Sequence, residues 1–199
     1  KKAFDEAGYT VPTTWDEMLT LSDQIVKDGG VPWCIENGFW GGGAGFPAEQ
    51  WVGDMLLRTA SPEEYERWKN GELKFNSPQV KHAIELMGEL FFKPGYTLGG
   101  REAINRATMY SASHAIFANP PTCWMIKEPS WILDYDGVSD YTAFDRKEFG
   151  TDYDFFVLPP IDAAYGAPVQ MEAHLYAVFQ DRPEVRALME YIEIGRASC

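Results

Sequence analysis

The sequence predicts an α/β lobe that is rich in helix and built on a small mixed sheet. Capped, amphipathic helical stretches follow one another along the chain, and four short apolar runs between them read as strands. Their order lacks the regular β-α alternation of a barrel or of a doubly wound dinucleotide fold, and no internal repeat is visible. At 45% hydrophobic and 24% charged residues the composition is that of an ordinary globule, and 199 residues suit one domain.

Each element has a local signal. Lys1-Lys2-Ala3-Phe4-Asp5-Glu6 reads as the tail of a helix stopped by Gly8, a poor start for a domain, so the chain is expected to be a piece of a longer protein. Thr14 and Glu17 form a capping box that opens a helix with Trp15, Met18, Leu21 and Ile25 on one face, and Gly29-Gly30 stops it. Pro47 begins a second helix, with Trp51, Val52, Met55 and Leu56 at helical spacing. Ser61-Pro62-Glu63-Glu64 caps a short third that ends at Gly71. Ser77-Pro78 starts the most regular helix, whose stripe of Val80, Ile84, Met87 and Phe91 runs up to Pro94-Gly95. A weaker helix is expected over 101–110, and a last one from an Asp181 cap with Val185, Leu188 and Ile192 inward. The strand candidates are 31–36, 122–126, 154–158 and 174–179, and residues 195–199 carry no periodicity and read as a tail.

Charge excludes some partners. With 17 Lys and Arg against 30 Asp and Glu the net charge is −13, so neither nucleic acid nor an anionic membrane is an expected partner. No stretch approaches the roughly 18 apolar residues of a membrane-spanning helix. Three cysteines allow at most one internal disulfide; leaving out Cys199, Cys34 and Cys123 either bridge or act as two buried thiols. His82, His114 and His174 are isolated and show no ligand spacing, so neither metal nor cofactor is expected.

The aromatic content stands out, with 7 Trp, 10 Tyr and 12 Phe. Rings cluster around 37–47, where four of the five residues Gly41 to Gly45 are glycine. Glycine there lets backbone approach a ligand and adopt positive φ. The Lys and Ser/Thr of a phosphate loop are missing. Phe39, Trp40 and Phe46 instead offer flat apolar faces beside the acceptors Glu36 and Asn37, with Gly43 giving backbone access, which is the chemistry a sugar requires. Trp131 after the 122–126 run and Glu172 before the 174–179 run occupy comparable strand-end positions. Glu36 and Glu172 could alternatively serve as an acid/base pair of a glycoside hydrolase, and a lectin-like or protein-binding module is a third possibility.

Several runs carry a family resemblance. Val11-Pro12-Thr13-Thr14-Trp15-Asp16-Glu17-Met18 resembles a signature of the extracellular solute-binding proteins of bacterial sugar ABC importers. Trp33-Cys34-Ile35-Glu36, Gly45-Phe46-Pro47-Ala48-Glu49-Gln50-Trp51-Val52, Leu56-Leu57-Arg58-Thr59-Ala60 and Tyr65-Glu66-Arg67-Trp68 follow in order and resemble the α-glucoside-binding branch. So do Phe117-Ala118-Asn119-Pro120-Pro121-Thr122-Cys123-Trp124-Met125, Phe155-Phe156-Val157-Leu158-Pro159-Pro160 and Phe179-Gln180-Asp181-Arg182-Pro183-Glu184-Val185. The resemblance implies a periplasmic-binding-protein-like (type II) fold of two lobes closing on a sugar, with residues 1–194 as the second lobe and the first lobe missing. It implies a non-enzymatic protein, periplasmic or extracellular, whose partners are a sugar ligand and the permease subunits of an ABC transporter. It carries sugar contacts over to Glu36, Phe46 and Trp131, with Glu172 on the same ground. Phe46 replaces the Trp often found beside the helix-starting Pro, and the Phe39-Trp40 insertion is this chain's own, so the preferred sugar stays open. In an exported protein Cys34 and Cys123 are expected to be bridged.

Overall fold

The computed structural model of the chain describes residues 1–39, 43–133, 143–171 and 176–193. Its contacts separate a first unit, Lys1–Val169, from a second, Gln170–Cys199.

Local signals set most helices of the first unit. Helix α1 is the short Lys2–Glu6, followed by Gly8 at φ +74°. Helix α2, Trp15–Lys27, opens on the capping box: the Thr14 hydroxyl accepts from the Glu17 amide, and the Glu17 carboxylate accepts from the Thr14 amide. It buries Trp15, Met18, Leu21 and Ile25. Helix α3, Phe46–Leu57, follows Gly45, whose φ of +114° suits only glycine. Helix α4, Pro62–Lys69, has a second capping box from Ser61 and Glu64. Helix α5, Pro78–Phe92, packs most extensively on α3. Its buried face is Val80, Ala83, Leu86, Leu90 and Phe91, so Ile84 and Met87 only flank the core they were expected to fill.

Helix α6 departs from expectation. Residues 101–106 form turns, and the helix is Met109–Ile116. The carbonyls of Ile104 and Ala107 accept from the Asn37 and Gly38 amides at 3.0 and 2.9 Å, which ties this stretch to the 31–38 segment. Thr108 then caps α6 through a reciprocal pair with Ser111. In the second unit, helix α7, Pro183–Glu193, half-buries Val185, Met189 and Ile192, whereas Leu188 is 56% exposed. The inward row thus follows i, i+4, i+7 spacing and bypasses Leu188.

The expected mixed sheet is reduced to fragments. Among the described residues the only ladder is an antiparallel pair, β1 (Gly38–Phe39) and β2 (Gly43–Ala44). Segments 31–36 and 122–126 run parallel, but their backbone pairing amounts to the bridge between Trp33 and Met125 and one further hydrogen bond, from the Trp124 amide to the Val31 carbonyl. Trp33 also bridges Thr97, so an unexpected third extended segment lies on its other side. Pro32, Pro120, Pro121 and Pro129 crowd these runs, and proline cannot donate to a ladder. Segment 154–158 makes no ladder; its exposed Phe155 and Val157 alternate with the inward Phe156 and Leu158. Of the fourth candidate, residues 174 and 175 lie outside the described residues and 176–178 form no strand.

The core is centred on Trp33. Its ring meets Trp51 edge-on at 5.7 Å, Trp51 meets Phe91 likewise, and its Nε1 donates to Ser22 Oγ at 3.1 Å. Cys34 and Cys123 are joined in a disulfide with a Cα–Cα distance of 5.5 Å, and Ala112 of α6 packs over it. Parallel 31–36 and 122–126 therefore end on the same side. That side carries the site.

Candidate functional site

A narrow crevice lies beyond the ends of these two segments, lined by Glu36, Phe46, Pro47, Gln50, Met109, Glu128 and Pro129. Its volume of about 10 Å³ holds one water-sized group. Glu36 ends the first segment and is 7% exposed; Glu128 follows the second and is half-buried. Phe46 and Gln50 lie one turn apart on α3, and Met109 comes from the first turn of α6. The Phe46 ring is 41% exposed at the mouth.

The two carboxyl groups define the chemistry. Glu36 Oε2 and Glu128 Oε1 are both buried without a hydrogen-bond partner. Burial pushes Glu36 up to about 7. Burial, then the Glu36 charge, pushes Glu128 up to about 8 against the opposing field of Lys127. Lys127 is itself engaged, its Nζ 2.9 Å from Asp54 Oδ2 and 5.3 Å from the Trp51 ring centroid. Each group therefore holds its proton to higher pH than an ordinary glutamate, in a crevice walled by Phe46, Pro47, Met109 and Pro129.

This predicts an unusual pH dependence. Both groups bind protons more tightly folded than unfolded, so the folded chain holds more protons than the unfolded one between about pH 5 and 8. Stability is present below that window and falls as pH rises through it. The carboxylates held low by hydrogen bonds, Glu17, Asp23, Glu63 and Asp181, act at more acid pH. Urea unfolding should show a loss of several kcal/mol from pH 5 to 8, lessened but not cancelled by Glu128→Gln, because burial alone holds Glu36 up. A stability that rises over this range contradicts the arrangement.

The candidates suggested by the sequence are placed differently. Glu36 and Phe46 share the crevice. Asn37 works as a latch: its Nδ2 donates to Asn105 Oδ1 at 2.9 Å and its Oδ1 accepts from the Ala48 amide at 3.1 Å, fixing the start of α3. Phe39 and Gly43 face each other across the β1–β2 pair. Trp40 and Glu172 lie outside the described residues, and so does the Trp131 side chain, although its backbone forms part of the one-turn 3-10 helix Ser130–Leu133. There Ile132 is buried and Leu133 is 41% exposed, so only the first packs inward. Gln50, Met109 and Glu128 were not singled out in the sequence, and Pro129 only as the neighbour of Trp131. Gln50 had a signal, its position four residues after Phe46; Glu128 had one too, a carboxylate beyond a strand end.

Comparisons with known proteins bear on the family of the chain. The sequence model of the bacterial extracellular solute-binding proteins matches residues 1–193. The chain belongs to that family. It is 33% identical over 195 residues to the osmoprotective compounds-binding protein GgtB of Synechocystis sp., covering 97% of this chain and 44% of that protein. It is 33% identical over 192 residues to the alpha-glucosides-binding periplasmic protein AglE of Rhizobium meliloti, covering 96% and 40%. The chain thus spans less than half the length of these curated relatives. Among solved structures, the bacterial solute receptor AcbH superposes with a TM-score of 0.62 at 23% identity, over 83% of this chain and 37% of that one. A chitin oligosaccharide binding protein gives 0.62 at 19%, over 82% and 37%. At such identities the likeness establishes the solute-binding fold.

Proposed function

We propose that residues 1–194 are the second lobe of an extracytoplasmic carbohydrate-binding protein, which captures an α-glucoside or related oligosaccharide and delivers it to the permease of an ABC importer. The observation that carries this reading is the pair of buried carboxyl groups with unpartnered oxygens beside the exposed Phe46 ring. Sugar hydroxyls both donate and accept, and C–H faces stack on rings. The names of the two curated relatives, one for osmoprotective compounds and one for alpha-glucosides, point to ligands of this polarity. Family membership supports a periplasmic or extracellular location.

In this reading Glu36 and Phe46 contact the sugar, Asn37 holds the loop that presents them, and Phe39, Trp40, Gly43, Trp131 and Glu172 are the further candidate contacts. The carboxyl pair does no chemistry. Membership of a solute-binding family favours binding over the alternative of a glycoside hydrolase built on Glu36 and Glu172. Hydrolysis assays on aryl α-glucosides should accordingly show no turnover.

A crevice of about 10 Å³ cannot bury a sugar, so most of the contact area must come from the missing lobe. Calorimetry with maltose, trehalose and sucrose should give dissociation constants in roughly the millimolar range for this chain. Micromolar or tighter binding is expected only of the two-lobed parent, where Glu36→Gln, Phe46→Ala or Trp131→Ala should each weaken it about tenfold or more. Sub-micromolar binding by the chain alone would refute the half-site.

A further inference from the structure

We propose that the open edge of segment 123–128 is a docking groove for an extended stretch of the same protein, the residues that run into Lys1, which add to it as a further strand. The inference rests on the two-lobed reading above, in which the first lobe precedes this one. It assigns the surface through which the two parts of the protein are joined.

A groove of about 810 Å³ runs along this segment, and all six residues from Cys123 to Glu128 line it. Successive side chains of an extended segment point to opposite faces, so a groove touched by every residue lies along the edge and not over one face. The main chain agrees. Met125 spends both its groups on the neighbouring segment, its amide on the Pro32 carbonyl and its carbonyl on the Cys34 amide, each at 2.8 Å. The next groups along point the other way. Among the described residues, the Trp124 carbonyl and both main-chain groups of Ile126 have no hydrogen-bond partner. Trp33 pairs with Thr97 on its far side, so the order across the fold is Thr97, Trp33, Met125 and then the groove.

Shape and lining select a polypeptide. Six residues at about 3.3 Å each make an edge of about 20 Å, the length of an ordinary strand. Free main-chain donors and acceptors in a row pair with another main chain, and native folds cover such an edge because it otherwise recruits other copies. Rings flank the place: Phe4 and Tyr9 stand 6.4 and 5.1 Å from Trp124, and Phe155 on the 152–156 wall is 72% exposed. The Lys1 amino group lies in the same wall, donating to the Asp152 carbonyl at 2.7 Å, so a residue joined to it begins inside the groove. Matches that cover 44% and 40% of the curated relatives leave more than half of a protein of that length to supply the strand. A tethered segment meets the edge at an effective concentration of about millimolar, which a second copy does not reach in dilute solution.

The test compares residues 1–199 with the two-lobed parent. Hydrogen exchange should find the Ile126 amide about a hundredfold slower in the parent, because only there does it donate to a partner. Ile126→Pro removes that donor. It should shift Tm of residues 1–199 by less than about 1 °C and lower that of the parent by about 3 °C or more. Phe155→Asp, at a side chain exposed in residues 1–199, should repeat the contrast, which keeps the comparison open if proline disturbs the chain by itself. Equal exchange at Ile126 in the two proteins overturns the docking, and sugar binding by that parent then leaves the two-lobed reading standing. Sedimentation supplies the other outcome. A dimer of residues 1–199 that Ile126→Pro dissociates, with no protection of Ile126 in the parent, makes a second copy the occupant and overturns the proposal. Protection of Ile126 in a parent that binds no sugar upholds the docking and overturns the carbohydrate reading alone.

Discussion

Replacing both Cys34 and Cys123 by alanine is expected to cost the fold about 4 kcal/mol. The bridge spans 89 residues, and on the chain-entropy model closing a loop of that length removes about this much freedom from the unfolded chain. The contacts it reinforces are sparse. Segments 31–36 and 122–126 share three backbone hydrogen bonds, Trp124 N to Val31 O at 3.1 Å, Cys34 N to Met125 O at 2.8 Å and Met125 N to Pro32 O at 2.8 Å, worth about 1 kcal/mol each. The cross-link therefore holds these segments more firmly than their pairing does. It lies two residues from Glu36 and five from Glu128, so the apposition of the carboxyl groups depends on it. In a chain of this size the loss should lower Tm by roughly 8–16 °C, read from melts of the double variant or of the reduced protein. Mass analysis should find one alkylated thiol before reduction and three after it. Coincident melts with and without reductant would mean that the bridge stabilises nothing.

What was legible in the sequence was local. Thr14 with Glu17 and Ser61 with Glu64 cap helices because the interacting atoms lie three residues apart, so the sequence order alone places them. Thr108 with Ser111 makes the same reciprocal pair, yet a Ser in the Glu position hid it, and the expected helix was set too early. Strand pairing was not legible, since it depends on which distant carbonyls are free. Trp33 found Thr97 as well as Met125, and nothing near residue 97 announces a strand.

The site divides along the same line. Glu36 and Phe46 were found because an aromatic, glycine-rich loop after a strand has recognisable chemistry. Glu128 was missed although it stands beyond a strand end, because in a chain with 30 acids that position marks none of them until the fold brings Glu128 to the crevice of Glu36. Asn37 was read as ligand-facing on residue type, but its amide holds Asn105 and Ala48.

Arg58→Ala is expected to destabilise by about 4 kcal/mol, although Arg58 touches no part of the crevice. The guanidinium is 1% exposed. Its Nε donates to the carbonyls of Leu158 and Pro159 at 3.2 Å, its Nη2 to those of Leu158 and Pro168 at 2.9 Å, and its Nη1 to Asp54 Oδ1 at 3.0 Å and Asp54 O at 3.2 Å. Five donors in a planar fork thus pin the otherwise irregular 158–168 segment to α3. Alanine strands three buried carbonyls and removes one of the two cations that hold Asp54, and breaking a buried charged network in this way typically costs about 3–5 kcal/mol. Lysine keeps the charge but has three donors on a single point, which cannot span Leu158 and Pro168 together, so Arg58→Lys should recover less than half of the loss. Hydrogen exchange locates the effect. The Asp162 amide, bonded to the Arg58 carbonyl, and the Trp15 amide, bonded to the Pro160 carbonyl, should lose protection first, ahead of the interior of α2. A uniform loss across α2 and α5 would mean that Arg58 supports the whole core, and a cost below about 1 kcal/mol would mean that the carbonyls find water instead.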